Sequence, residues 1–326
     1  MISEVHPSRA VEGGRVTLRG SGFRISDGLP LVSVGGQQAR AVFASSTRIV
    51  ITIPPDLDGG PTPVRIQNGA GDTIAVALAG AWATGLHQVD NPVFDREGHL
   101  FVTYSGSRGQ ETPVSIFRVT PAGTREPFVS GIVNATSMAI GPDGHLYVSS
   151  RFDGAVYRVL PTGAHEQVAS DLGVACGLAF DADGALYVGD RSGTIFRVRD
   201  GHASAFASLP PSVAAFHLAM SPQQDLFVSA PTLGSYDHIY RVSRSGDVHS
   251  IPTPLGRPQG LAFSPDGVLH VVDALAGASG LYRFTSPDGP PELTVSGGAL
   301  VGVAFGPNGE LVVSSNDTAY RFDFKE

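Results

Sequence analysis

A repeat constrains this chain more than any other feature. Six segments share one plan: Phe94-Asp95-Arg96-Glu97-Gly98-His99-Leu100-Phe101-Val102, then GPDGHLYV from Gly141, DADGALYV from Asp181, SPQQDLFV from Ser221, SPDGVLHV from Ser264 and GPNGELVV from Gly306. The equivalent turn positions are 98, 144, 184, 224, 267 and 309, spaced by 46, 40, 40, 43 and 42 residues. Each unit continues into a second apolar run holding an aromatic–Arg pair: Phe117-Arg118, Tyr157-Arg158, Phe196-Arg197, Tyr240-Arg241, Tyr282-Arg283 and Tyr320-Arg321. Runs this short, bounded by Asp-Gly or Ser-Gly turns, read as strand, turn, strand. A unit of about 42 residues with four short antiparallel strands has the size of one β-propeller blade. The expected fold is therefore all-β, with a six-bladed β-propeller over residues 73–326. The last unit stops too soon after Arg321 for a fourth strand, so the apolar run Thr73 to Trp82, within a closing segment 73–84, is expected to supply it and seal the ring against open sheet edges.

Composition agrees with many turns and few helices. Gly (41) and Pro (24) make up about 20% of 326 residues, and charged residues only 16%, against about 25% in an average protein. Gly, Pro, Ser and charges interrupt every apolar run before about 18 residues, so no membrane-spanning helix is expected. The net charge of −8 offers no basic stripe to displace counterions from nucleic acid. Cys176 is the one cysteine, which excludes an internal disulfide and a cysteine-rich zinc site. The start MISEVHPSRA lacks the basic and apolar regions of a signal peptide, so the expected location is cytoplasmic, or secreted if a leader was removed.

Residues 1–72 stand outside the repeat and read as short strands around Val16, Val32, Val42, Ile51 and Val64, as in a small β-sandwich. Pro7, Gly13-Gly14, Val16-Thr17-Leu18, Gly20-Ser21-Gly22-Phe23, Val34-Gly35-Gly36, Ala39, Ser45-Ser46-Thr47, Ile53-Pro54 and Gly59-Gly60 follow, in order, the pattern of the IPT/TIG immunoglobulin-like family, which this segment resembles. The resemblance implies an interaction or spacing module without chemistry of its own.

The repeat, with its Gly-Leu-Ala-Phe entries at 177–180 and 260–263, resembles the superfamily that joins NHL propellers with the senescence-marker/gluconolactonase and strictosidine-synthase-like propellers. The resemblance spans residues 85–326. It implies a central-channel cation (Ca²⁺, Mg²⁺ or Mn²⁺) held by one Glu, two Asn and one Asp from different blades. Asp90, within Asp90-Asn91-Pro92-Val93-Phe94, stands where the Glu would be. The Asn positions fall on Thr136 and Cys176, and the Asp position falls near Phe216-His217 or on Gln259. One strong ligand of four is retained, so Asp90 is the candidate metal residue.

In a propeller, the loops before the innermost strands and after the second strands open on one face. There they gather His87, Asp90, Asn91, Thr136, Cys176, His217 and Gln259 with Tyr104, Arg151, Asp190, Arg191, Asp273, Asn316 and Asp317. Asp90, His217 and Asp273 form the candidate catalytic set, His217 with either carboxylate making a general base. Asn91, Thr136, Arg151, Cys176, Asp190, Arg191 and Gln259 are the candidate ligand contacts. Against these stand plainer readings: Asp190 and Asp273 as loop caps, His217 as a satisfied polar residue, Cys176 as a buried thiol. Two functions follow. One is a binding propeller whose rim recognises a small molecule, glycan or protein, with no nucleic-acid or membrane partner. The other is a divalent-cation-dependent lactone or ester hydrolase with a diverged metal site.

Overall fold

The computed structural model describes residues 1–25, 28–67, 73–275, 277–286 and 289–322. All regular structure in it is β-strand, and among the described residues no helix is long and apolar enough to cross a membrane.

The N-terminal sandwich forms where apolar residues alternate with polar ones, the pleat sending each set to one face. In Arg15–Gly20 the inward side chains are Val16 and Leu18, and in Arg48–Thr52 they are Ile49 and Ile51. They meet Val32, Val34, Val64 and Val76 in one fully buried cluster.

The repeat units build the propeller as the period requires. Their innermost strands are Val93–Phe94, Ala135–Ile140, Ala175–Phe180, His217–Met220, Pro258–Phe263 and Leu300–Phe305. Each packs beside the next, and the last packs beside the first. Six apolar clusters fill the interfaces between neighbouring units, and Ala83, Leu100 and Val102 with Ala304, Val312 and Ala319 close the circle. The turn joining first and second strands needs a left-handed residue, and Gly98, Gly144, Gly184, Gly267 and Gly309 supply it at φ between 79° and 86°. Gln224 takes the same conformation at φ 66°, so the turn persists where its glycine is lost. The arginines of the aromatic–Arg pairs tie the third strand to its surroundings: Arg118 to Glu126 (2.9 Å), Arg158 to Asp143 (2.8 Å), Arg241 to Asp225 (2.7 Å) and Arg283 to Glu292 (2.7 Å).

Two expectations are corrected here. Only five units stand as separate four-stranded blades, not six. The four strands from Pro258–Phe263 to Glu292–Ser296 end a twelve-stranded sheet, because Arg9–Ala10 pairs in parallel with Glu292–Ser296 on one side and Thr73–Leu78 on the other. The run expected as a single closing strand is also two. Thr73–Leu78 pairs with Gly60–Ile66 in the sandwich, and Gly80–Ala83 alone pairs with Ala319–Phe322 to complete the last blade. The expected boundary at residue 72 lies outside the described residues.

Candidate functional site

The channel is built in layers by the innermost strands. Toward the face expected to carry the site lies a cavity of about 310 Å³, lined by Gln88, Arg151, Cys176, Arg191, Gln259 and Asn316 together with Val89, Val174, Val213, Ala214, Ala215 and Val301. Further along the same strands a second cavity of about 380 Å³ is lined mostly by apolar groups, among them Met138, Leu178, Phe180, Leu218, Leu261 and Phe305. Between the two, in strand order, fall Asp90, Gly177, His217, Gly260 and Gly302. The glycines make this layer possible. A Cβ at Gly260 would collide with Asn91 Oδ1, one at Gly302 would come within 2.9 Å of the Asp90 carbonyl, and one at Gly177 within 2.6 Å of the Phe216 carbonyl.

That layer holds a buried pair. His217 Nδ1 lies 2.6 Å from Asp90 Oδ1, and the two residues are 0% and 3% exposed. The same oxygen accepts the Asn91 N–H at 2.7 Å. The other ring nitrogen, Nε2, is buried with no hydrogen-bond partner among the described residues. The structure thus pairs His217 with Asp90. The Asp273 carboxylate accepts the backbone N–H groups of Gly256 (3.2 Å), Arg257 (2.8 Å) and Leu275 (3.1 Å), the loop-capping arrangement also expected for it. Asp190 does the same for Val174 N–H (2.8 Å), Ser192 N–H (3.3 Å) and the Ser192 hydroxyl. Asn91, expected at a ligand, uses both ends of its amide to join blades, donating to the Leu261 carbonyl (2.8 Å) and accepting from Val303 N–H (2.9 Å).

The implied divalent cation does not fit these donors. A hard cation takes six or more oxygens. Asp90 Oδ1 is committed to His217 and Asn91, the Thr136 hydroxyl donates to the Asn134 carbonyl at 2.8 Å, and burial pushes the Cys176 thiol up to about 12. Among the described residues, the one group of three or more carboxylate, imidazole or thiol side chains close enough to share an ion is Asp95, Glu97 and His99 in the first repeat's turn. There Asp95 already accepts the Glu97 and His99 N–H groups and faces His99 Nδ1 at 2.9 Å.

Cys176 carries a pH consequence. Its thiol pKa is raised by folding, so that contribution to stability is intact below the unfolded value near 8.5 and is lost as pH climbs from there toward 12. Native protein at pH 8 is expected to resist iodoacetamide and to react fully once unfolded in guanidinium. Rapid labelling of the native thiol would contradict its burial.

Arg151 and Arg191 set the field of the first cavity. The Arg151 guanidinium is held below its ordinary value by burial, with Cys176 opposing and Arg191 and Arg108 adding to the fall. His87 is lowered as well, by burial and then by Arg151. Among the described residues no carboxylate lies within ion-pair distance of Arg151 or Arg191. Two residues escaped the sequence reading. Gln88, whose Oε1 is buried without a partner, sits two places before Asp90, and Arg108 belongs to the long loop after the first repeat's second strand. Position in the segment leading into the first unit's innermost strand was the available signal for Gln88.

Comparison with known proteins agrees with this architecture. Residues 1–78 match the IPT/TIG domain, and residues 177–198 match the N-terminal part of the strictosidine synthase-like family. No curated protein matches the chain. Among solved structures, an auxiliary nutrient binding protein from Bacteroides ovatus superposes with a TM-score of 0.57 at 12% identity, covering 98% of this chain and 97% of its own. A gluconolactonase from Xanthomonas campestris superposes with a TM-score of 0.60 at 16% identity, covering 74% and 87%. A catalytically inactive virginiamycin B lyase from Staphylococcus aureus, solved with quinupristin, superposes with a TM-score of 0.55 at 15% identity, covering 89% and 98%. At these identities the likeness is one of fold.

Proposed function

We propose that this chain is a binding protein, an IPT/TIG-like sandwich fused to a propeller of NHL/gluconolactonase-like repeat units, whose channel mouth takes a small anionic ligand. The observation that carries this reading is the pair of guanidinium groups, Arg151 and Arg191, on a cavity where no described residue offers them a carboxylate, in a chain whose net charge is −8. A protein so acidic has carboxylates to spare, and leaving two arginines unpaired in a concave site suits a ligand that brings the negative charge. The amides of Gln88, Gln259 and Asn316 add neutral donors and acceptors around it.

Calorimetric titration with inorganic phosphate, gluconate and glucose tests this. The two anions are expected to bind and the neutral sugar not, and Arg151→Gln is expected to weaken anion binding roughly 10- to 100-fold, the weight of a charge-assisted hydrogen bond. Glucose binding as tight as gluconate would make the site a glycan site. Binding unaffected by Arg151→Gln would place the anion elsewhere.

A second reading, hydrolysis of a lactone or ester, rests on the Asp90–His217 pair. An imidazole oriented through Nδ1 has Nε2 as its candidate general base, here buried in the layer between the two cavities, and this version works without the cation that the donors do not fit. Turnover of a lactone and ester panel by EDTA-treated protein, lost in His217→Asn, would establish it; no turnover leaves the binding reading.

A further inference from the structure

The exposed apolar side chains of the propeller are not scattered. Between residues 80 and 322 the described large hydrophobics that stand exposed are Phe152, Val213, Leu233, Tyr236, Val248 and Leu275. All but Val248 lie on loops that precede an innermost strand or follow a second strand, the loops of the face where the arginine-lined cavity opens. Leu233 and Tyr236 are 91% and 66% exposed, which leaves apolar area that a ligand could cover with gain. One of them lines the cavity, one adjoins a lining residue, and the loop carrying two more is tied to it. Val213 lines it directly, and its backbone N–H donates to the Pro231 carbonyl at 2.9 Å, which ties it to the start of the loop bearing Leu233 and Tyr236. Phe152 follows Arg151, another lining residue, and its ring lies against Gly109, next to Arg108.

The cavity of about 310 Å³ holds the two guanidinium groups, and Phe152, Leu233 and Tyr236 stand exposed outside its lining. Resting on the anion-binding reading above, we propose that the ligand is an amphipathic monocarboxylate: its carboxylate sits between Arg151 and Arg191, and its alkyl or aryl body lies across Val213, Leu233, Tyr236 and Phe152. A fully polar anion would leave that apolar crown in water, and an uncharged lipid would leave the two guanidinium groups unanswered. Charge complementarity inside and apolar area outside together select a molecule with one anionic end.

The test is a homologous series titrated calorimetrically against the full chain: acetate, butanoate, hexanoate and octanoate, with octanol as the uncharged control. Affinity is expected to rise about two- to fourfold per methylene beyond butanoate, the upper value being that of a fully buried methylene. The double variant Leu233→Ser/Tyr236→Ser, made at exposed loop positions, is expected to flatten this dependence while leaving acetate and butanoate unchanged. Arg151→Gln should weaken every acid by the same factor. Equal affinity across the series would overturn the amphipathic ligand while leaving an anion site. Binding by none of the acids, or by octanol as well as octanoate, would overturn both. Co-sedimentation with phosphatidylglycerol vesicles, without binding of the monomeric acids, would replace the small ligand with a membrane surface.

Discussion

Asp90→Ala is expected to destabilise the protein by about 3 kcal/mol, because it strands a fully buried imidazole and an amide N–H that share one carboxylate oxygen. In a chain of this size that is a fall of about 6 °C in melting temperature, or a matching shift of the urea midpoint at constant slope. Asp90→Asn retains an acceptor oxygen for both donors and is expected to cost about 1 kcal/mol. The contrast between the two variants separates the loss of an acceptor from the loss of charge. A cost for Asp90→Ala below about 1 kcal/mol would mean that His217 finds another partner and that the layer is not organised by this carboxylate. In Asp90→Asn the ring loses its orienting carboxylate with little loss of fold, so any hydrolytic turnover should fall far more than stability does.

The second large effect concerns ring closure. A chain beginning at Gly85 lacks Gly80–Ala83 and exposes the edge of Ala319–Phe322, as well as the apolar surface of Leu100, Ala304 and Ala319 that Ala83 covers. Such a chain is expected not to persist as a monomer and to associate through the open edge, seen by size-exclusion chromatography. A chain beginning at Ala79 keeps the closing strand. It loses Arg9–Ala10 along Glu292–Ser296, the buried Val11, and the 2.7 Å bond from the Tyr320 hydroxyl to Glu12. Burial of one valine is worth about 1.5–3 kcal/mol and each lost hydrogen bond about 1 kcal/mol, so its unfolding free energy should drop by about 3–5 kcal/mol while it stays monomeric. Equal stability of the two truncated chains would refute the role assigned to Gly80–Ala83.

The propeller was legible because its period is set by backbone turns that side chains report directly, and the loss of glycine at Gln224 did not hide the turn. The merged sheet was not legible. It depends on Arg9–Ala10, a strand of two residues with no pattern of its own, and on a change of partner at Ala79 inside a run that is apolar on both sides. The site divides in the same way. Arg151 and Arg191 could be placed near one another from their loops, since equivalent loops of adjacent repeats share a face. The choice between Asp90 and Asp273 for His217 could not be made, because both carboxylates precede or follow an apolar strand, and only the loop geometry around Gly256 and Arg257 shows that Asp273 is occupied. Nor could the glycine layer be anticipated: Gly260 and Gly302 read as ordinary strand glycines until Asn91 and Asp90 are seen against them, and Gly177 until the Phe216 backbone is.

The closing strand also fixes an order of events during synthesis. Gly80–Ala83 is translated early, and its partner Ala319–Phe322 is separated from it by all the repeats. The sandwich can fold while the rest of the chain is still being made, whereas the first unit waits beside an unfinished neighbour. Its apolar face around Leu100 and Val102 stays uncovered until Ala304, Val312 and Ala319 arrive. Nascent chains stalled before residue 300 should therefore engage holdase chaperones and resist release as folded protein, and the ring should form in one late step after translation.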